Sequence, residues 1–160
     1  MDTSIRPIQP GDNQAIASII RATLTEFGAN KPGTVFYDNS TDHLYELFRT
    51  PGSGYFIAVS EGRIVGGGGI YPTDGLPDKT VELVKMYLLP EVRGIGLGKQ
   101  LMETAIDYAR SLGYDNIYLE TMPELSKAIK AYEKAGFRYL DKAVGNSNHT
   151  GCEIWMSRAI

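Results

Sequence analysis

The chain has 160 residues, of which 42% are hydrophobic and 22% are charged, and its formal net charge is -3 at pH 7. This length suits one domain with its own core, and the composition is that of a globular protein rather than a disordered one. A net negative charge offers no basic surface for nucleic acid. We therefore expect a single domain over residues 1–160 and no nucleic-acid partner.

The sequence lacks targeting and metal-binding motifs, which limits the location and the chemistry that we expect. Residues 1–10 lack a basic start followed by an apolar run, and no window approaches 18 uninterrupted apolar residues. We therefore expect no signal peptide, no membrane span and a cytoplasmic location. Cys152 is the only cysteine, which excludes an internal disulfide and a multi-cysteine metal site. His43 and His149 lie far apart, with no carboxylate at a matching spacing, so we predict no metal.

Hydrophobic periodicity and turn residues predict the elements of the first half of the chain. These are a strand over 4–8, a helix over 11–27, a loop over 29–39, a short helix over 41–48, and a hairpin with strands over 55–60 and 63–71. Four glycines at 66–69 interrupt the last strand. They indicate a tight bend or the close approach of another backbone or a ligand, or else a loosely paired strand beside bulky neighbours.

The second half of the chain alternates strands and helices. We predict a strand over 80–89, a helix over 97–112, a strand over 116–121, a helix over 123–135, and two final strands over 137–140 and 153–156. The strand–helix–strand unit over 80–121 should be parallel and right-handed, whereas the hairpin is antiparallel. The sequence therefore predicts a mixed α/β sheet.

A glycine-rich turn, Arg93-Gly94-Ile95-Gly96-Leu97-Gly98-Lys99, joins a strand to a helix. Unpaired amides and the positive end of the helix dipole bind phosphate at such a junction. The turn is not a mononucleotide P-loop, because its glycines are too close together and Gln100 replaces the hydroxyl residue that would hold magnesium. Lys99 stands where a dinucleotide-binding turn has its third glycine. For the turn alone, a purely structural role remains the alternative.

Three stretches around this turn resemble a known family. They are VELVKMYLLPE over 81–91, Arg93-x-x-Gly96-x-Gly98, and AIKAYEKAGF over 128–137, which closely resemble the GNAT superfamily of acyl-CoA-dependent N-acetyltransferases. The resemblance covers nearly the whole chain in element order. It implies one N-acetyltransferase domain over 1–160 with an α/β fold, in which a mixed, mostly antiparallel central sheet contains a splayed parallel strand pair and carries helices on both faces.

The resemblance implies acetyl-CoA as co-substrate. Pantetheine would enter the gap between the splayed strands and bond to the main chain of Met86, Tyr87 and Leu88, with Thr121 on the facing strand. The amide of Leu88 would face the acyl carbonyl and stabilise an oxyanion; for Met86 and Leu88, core packing is the alternative. The glycine turn would hold the pyrophosphate with its amides, while Arg93 and Lys99 neutralise charge. The expected pyrophosphate site is Arg93, Gly94, Ile95, Gly96, Leu97, Gly98 and Lys99.

Two residues take catalytic roles by the same resemblance. An amine with a pKa of ~10.4 must lose a proton before it attacks the thioester. Glu82 is the expected base, directly or through water, with a solvated charge as the alternative role and Glu120 as the alternative base. Tyr132 is the expected general acid for the departing thiolate, and the alternative is an aromatic residue that fills the helix stripe. The family often carries asparagine where Leu125 stands, so one side-chain contact is missing.

The expected reaction is direct transfer in a ternary complex. Cys152 is the rival nucleophile, although a single cysteine in a terminal strand is more often a small buried hydrophobe. His149 lies in a loop that could reach the acceptor pocket, with a surface position as the alternative. The other classes of function are a non-catalytic acyl-CoA sensor and a nucleotide-binding regulatory domain, which the missing P-loop spacing disfavours.

The acceptor is the least specified part of the prediction. We favour a primary amine of a small molecule over a protein amine, and expect no membrane partner. Loops over 29–42, 71–79 and 143–151 should shape its site. Their aspartates could attract a cationic amine or could simply be solvated: Asp38, Asp42, Asp74 and Asp78. Unpaired strand edges also allow a homodimer.

Overall fold

Seven strands and four α-helices make up the computed structural model, which describes residues 2–160. The strands are β1 (Thr3–Pro7), β2 (Gly54–Ser60), β3 (Arg63–Tyr71), β4 (Thr80–Leu88), β5 (Asn116–Thr121), β6 (Arg138–Leu140) and β7 (Ile154–Ala159). The helices are α1 (Asn13–Glu26), α2 (Leu44–Leu47), α3 (Leu97–Ser111) and α4 (Ser126–Lys134). No helix within this part of the chain has both the length and the apolar character that a membrane crossing requires.

All strands belong to one sheet with the order β1-β2-β3-β4-β5-β7-β6. Every neighbouring pair is antiparallel except β4 and β5, which are parallel. The mixed, mostly antiparallel sheet predicted from the sequence is therefore confirmed. Strands β1 and β6 form the two edges, and the homodimer remains a prediction.

The parallel strands β4 and β5 pair over only three residues and then separate. Pairing begins at Thr80 with Asn116 and ends at Glu82 with Tyr118. Beyond that point β4 stays paired to β3, and β5 stays paired to β7 along its whole length. Each strand thus follows its outer neighbour, and a gap opens in the middle of the sheet. The expected splayed pair is confirmed.

Helices cover both faces of the sheet because their apolar residues repeat every three or four positions. On one face, Ile16, Ile20 and Leu24 of α1 pack in a cluster with Tyr55 and Ile57. On the other face, α3 buries four side chains against Ile70 and the first half of β4: Met102, Ala105, Ile106 and Ala109. Burying a large aliphatic side chain contributes roughly 1.5–3 kcal/mol relative to leaving it exposed.

Several element boundaries differ from the prediction, and the short helix expected over 41–48 is a 3₁₀ helix at Asn39–Asp42 followed by α2 at Leu44–Leu47. Helix α4 begins at Ser126 and not at Pro123, because residues 122–125 form a turn in which the Leu125 amide donates to the Met122 carbonyl at 3.0 Å. The last strand continues to Ala159 because all six of its residues pair with β5. Its polar, half-buried Ser157 and Arg158 hide this from a hydrophobic pattern. The loop over 29–39 contains a short 3₁₀ helix at Val35–Tyr37.

The glycine run over 66–69 lies in the middle of β3, paired to β2 on one side and to β4 on the other. A Cβ atom on Gly69 would lie 2.2 Å from the carbonyl oxygen of Gly54. A Cβ atom on Gly66 would lie 2.3 Å from the carbonyl oxygen of Tyr87. Of the roles considered for these glycines, close approach of another backbone is the one observed.

We predict that Gly69→Ala lowers the free energy of unfolding by about 2–4 kcal/mol, because the new methyl group overlaps backbone that has no room to move. Urea unfolding monitored by fluorescence of the single tryptophan, Trp155, measures the change. The matched control is Gly11→Ala, where a Cβ atom meets nothing within 4 Å; we expect its effect to stay within about 0.5 kcal/mol. Equal midpoints for the Gly69 variant and the unmodified protein would contradict the close approach.

Candidate active site

A cavity of about 630 Å³ occupies the gap between β4 and β5. It brings together residues from both strands, from the glycine turn and from α4. The predicted site residues that line it are Glu82, Met86, Tyr87, Leu88, Arg93, Gly94, Gly96, Gly98, Lys99, Thr121 and Tyr132. Two predicted residues have side chains elsewhere: Ile95 is 52% exposed, and Leu97 packs in the core with Ala58, Val65 and Val92. Both can contribute only main-chain groups.

The glycine turn presents free amides to this cavity. Gly94 and Gly96 have φ values of 78° and 88°, in the left-handed region where glycine carries no steric penalty. Helix α3 then begins at Leu97, and its first main-chain bond runs from the Gln100 amide to the Gly96 carbonyl at 3.1 Å. The amides that precede Gln100 therefore lack partners within the helix. Together with the helix dipole they form a site for an anion.

Arg93 makes contacts that its sequence position does not reveal. Its guanidinium donates two hydrogen bonds to Glu26 on α1, at 2.8 and 2.9 Å, and its Nε donates to the Leu88 carbonyl at 3.0 Å. The guanidinium also lies over the Phe27 ring, 5.1 Å from its centroid. Arg93 thus fastens the end of β4 to α1. The charge it was expected to offer a pyrophosphate is already matched by Glu26, whereas the Lys99 side chain is 82% exposed.

Glu82 lies at the point where β4 and β5 part, and it is only 3% exposed. The hydroxyl of Thr73 donates to its Oε1 at 2.5 Å. Burial, reinforced by the nearby negative charge of Glu120, raises the pKa of Glu82 to about 7. A solvated charge, the alternative role for this residue, is inconsistent with that burial. Its carboxyl group can instead gain and lose a proton near neutral pH.

Three loops close over Glu82, and each contributes a polar side chain: Asp38, Thr73 and His149. The Nε2 atom of His149 lies 2.7 Å from Oδ2 of Asp38. Burial acts to raise the pKa of Asp38, but the hydrogen bond with His149 and the charge of Lys85 leave it below its ordinary value. Main-chain bonds join the loops as well, since the Gly151 amide donates to the Gly33 carbonyl at 2.9 Å. Of the other predicted aspartates, Asp42 pairs with a surface arginine on α1.

Glu120 is held in place by two donors. The Tyr118 hydroxyl donates to its Oε2 at 2.6 Å, and the Ser147 hydroxyl donates to its Oε1. Burial, followed by this hydrogen bond, raises the pKa of Tyr118, so the phenol keeps its proton. One carboxylate oxygen of Glu82, one of Glu120 and one ring nitrogen of His149 all lie within 4.8 Å of one another. This convergence was not predicted. Each of the three groups already has a protein partner, and the absence of a metal remains a prediction.

Tyr132 and Cys152 both face the cavity as protonated groups. Burial raises the pKa of Tyr132 to about 12, so the phenol can donate but does not ionise near pH 7. Its ring packs edge-on against Phe137, with centroids 5.8 Å apart. Burial likewise raises the pKa of the Cys152 thiol to about 12. Because the thiolate is the reactive form, Cys152 is a poor nucleophile here.

Lys85 is a cavity-lining residue that the sequence analysis missed. It is 8% exposed and has a left-handed backbone conformation, with a φ value of 52°. Its Nζ lies 3.6 Å from Oδ2 of Asp38, and burial lowers its pKa. A lysine in the middle of the apolar run 81–89 was the available signal, because a charged residue rarely occupies a central strand without a partner.

Comparison with known proteins agrees with this geometry. The model of the acetyltransferase (GNAT) family matches residues 15–137. The chain is 44% identical over 151 residues to the uncharacterized N-acetyltransferase YjgM of Escherichia coli (strain K12), covering 93% of this chain and 90% of that protein.

Two solved structures share the fold. One is an acetyltransferase of the GNAT family from Staphylococcus aureus Mu50, with a TM-score of 0.87, 19% identity and 99% of each chain covered. The other is the PaiA N-acetyltransferase of Thermoplasma acidophilum in complex with coenzyme A, with a TM-score of 0.78, 18% identity and 100% of each chain covered. The chain belongs to the GNAT family of acetyltransferases, which confirms the predicted class of enzyme, an acetyl-CoA-dependent acyltransferase.

The raised pKa of Glu82 has a consequence for stability. A carboxyl group whose pKa is about 7 in the folded protein and 4.5 in the unfolded chain binds a proton more tightly when folded. Its contribution to stability is therefore complete below pH 4.5 and is lost as the pH rises through 7, a change of about 3 kcal/mol.

We predict that Glu82→Gln, which does not titrate, is more stable than the unmodified protein at pH 8 by up to about 3 kcal/mol, with a smaller difference at pH 5. Urea unfolding at the two pH values measures this. Glu91→Gln, at an exposed position, is the matched control and should show no pH-dependent difference. A stability difference for Glu82→Gln that is the same at both pH values would contradict the desolvation of Glu82.

Proposed function

We propose that this protein transfers the acetyl group of acetyl-CoA directly to a primary amine of a small molecule within a ternary complex. The observation that carries the proposal is the single cavity lined by the glycine turn, by the parted strands and by Glu82 and Tyr132. One cofactor molecule in that cavity could place its pyrophosphate at the turn and its thioester beside both side chains.

The cofactor would be held mainly by the main chain. Amides of the turn and of the first residues of α3, including those of Ile95 and Leu97, would bind the pyrophosphate, with Lys99, which is exposed and lies 4.0 Å from Glu103, as a nearby cation. Arg93 would support this site by fixing the end of β4. Main-chain groups of Met86, Tyr87 and Leu88 would bind pantetheine, opposite Thr121. The amide of Leu88 would stabilise the oxyanion.

In the chemical step, the amine nitrogen forms a bond to the acetyl carbon and the carbon–sulfur bond breaks. Glu82, whose pKa of about 7 is close to the working pH, takes the proton that the amine loses, directly or through water. Coenzyme A leaves as a thiolate, and the protonated phenol of Tyr132 donates to its sulfur. The proton on Glu82 then returns to the Tyr132 phenolate through solvent, which restores both side chains, and the products are the acetylated amine and the coenzyme A thiol.

The structure around Glu82 favours a small acceptor. Glu82 is 3% exposed beneath loops that are bonded to each other. A side chain of another folded protein would have to pass between these loops, whereas a free small molecule can occupy the cavity itself. The non-catalytic sensor remains as an outcome of the test.

The test combines calorimetric titration of acetyl-CoA with an assay for free thiol release in the presence of a panel of small primary amines. We expect saturable binding and thiol release with a subset of the panel. Binding without release, with small amines and with protein amines alike, would indicate the sensor. Failure to bind acetyl-CoA at millimolar concentration would overturn the proposed function.

We predict that Tyr132→Phe lowers kcat by a factor on the order of 10², the usual loss when a general acid is removed, and leaves the acetyl-CoA Kd within about twofold. Thiol-release kinetics and calorimetry measure the two quantities separately. Tyr139→Phe is the matched control, because Tyr139 is 55% exposed on β6 and should leave both quantities unchanged. If Tyr132→Phe weakened cofactor binding as much as turnover, Tyr132 would be a packing residue.

A further inference from the structure

Lys85 has an unusual position for a lysine. In a regular strand, residues 82 and 85 would point to opposite faces of the sheet, because side chains alternate. Residues 85 and 86 of β4 both lie opposite Gly68, because pairing jumps from Gly67 with Tyr87 to Gly69 with Val84, so β4 carries one extra residue there. The left-handed conformation of Lys85 lies within this bulge. The bulge turns the Lys85 side chain into the cavity that Glu82 also lines.

This arrangement costs free energy. A left-handed conformation costs a residue with a side chain roughly 1–2 kcal/mol, and burying an ammonium group costs several more unless it is well paired. The Tyr55 hydroxyl stabilises the bulge by donating to the Lys85 carbonyl at 2.6 Å. Strain of this kind, maintained beside an active site, points to a function for the residue.

The ammonium group of Lys85 is poorly satisfied by its protein partner. It has three donors, and the nearest carboxylate oxygen, Oδ2 of Asp38, lies 3.6 Å away, which is longer than a hydrogen bond. That same oxygen is bonded to His149 at 2.7 Å. The Lys85 side chain is only 6% exposed, so it has little contact with bulk water. Donors remain available to an anionic group inside the cavity.

The charges around the cavity define the complementary ligand. Glu82 and Glu120 line the part of the cavity where the amine would lose its proton, Asp38 contacts Lys85 and His149 beside it, and Lys85 is the cation on that side. A diamine would bring a second positive charge against Lys85. A phosphate with two negative charges would be matched by only one cation and would be repelled by the neighbouring carboxylate. A group with a single negative charge fits best.

We infer that Lys85 binds a carboxylate of the acceptor, so that the acceptor is a small zwitterion with its carboxylate close to the reacting amine, as in an α-amino acid. This inference rests on the proposed function and narrows its substrate class. The carboxylate would lie against the Lys85 ammonium, and the amine would point toward Glu82. Lys85 is thereby a specificity residue and takes no part in the proton transfers.

The test compares α-amino acids with their own carboxamides as acceptors in the thiol-release assay, at equal concentrations of unprotonated amine. For the best amino acid of the panel, we expect kcat/KM to exceed that of its carboxamide by 10-fold to 100-fold, the range of a charge-assisted contact. Lys85→Met should reduce this ratio to near 1 and leave the acetyl-CoA Kd within about twofold. Lys130→Met, an exposed position on α4, is the matched control and should keep the full ratio.

The possible results distinguish failure of the carboxylate site from failure of the proposed acetyltransferase function. If the unmodified protein acetylates carboxamides as well as amino acids, the carboxylate site is wrong and the acetyltransferase proposal stands. This comparison needs no variant, so it decides the matter even if Lys85→Met fails to fold. A preference for aminoalkylphosphonates over amino acids would also overturn the carboxylate assignment. Absence of thiol release with every amine would overturn the proposed function itself.

Discussion

The parting of β4 and β5 after Glu82 is the constraint on which the rest of the molecule depends. Two parallel strands that remained paired would fill the centre of the sheet and leave no room for a ligand. Here each strand keeps its hydrogen bonds to its outer antiparallel neighbour, so the gap opens without loss of the sheet. The gap exposes main-chain groups of β4 to the cavity, and it places the glycine turn at the same opening.

Desolvation raises the pKa of Glu82, Tyr132 and Cys152, and the consequence differs between these groups. Burial disfavours ionisation of Glu82 and brings its pKa close to neutrality, which suits the role of base that we propose for it. Burial of Tyr132 and Cys152 keeps both groups protonated, which favours a donor and disfavours a thiolate nucleophile. The free energy that this burial costs is offset by the packed clusters on the two faces of the sheet. The same buried site therefore suits direct transfer better than an acyl-enzyme.

Local patterns predicted the parts of the structure that are local in sequence. The element order and the glycine turn follow from residues within a short distance of one another, whereas the position of Glu82 and Tyr132 at one cavity was predicted from the family resemblance. The contacts that the sequence analysis missed join distant residues. Arg93 and Glu26 are 67 positions apart, and His149 and Asp38 are 111 apart. The bulge at Lys85 was missed because it depends on pairing with the glycines of β3.

The polarity of the cavity follows from these parts together. The turn and Lys99 present amides and a positive charge at one part of the cavity, whereas the carboxyl groups of Glu82 and Glu120 line the other part. A pyrophosphate would be attracted to the first part and repelled by the second, which favours the cofactor orientation of the proposed function. The cofactor orientation does not depend on the overall charge of -3, because it is set by the separation of charge within the cavity. Lys85 places a positive charge within the acidic part, and an acceptor bound as we propose would have to complement both that charge and the carboxyl groups around it.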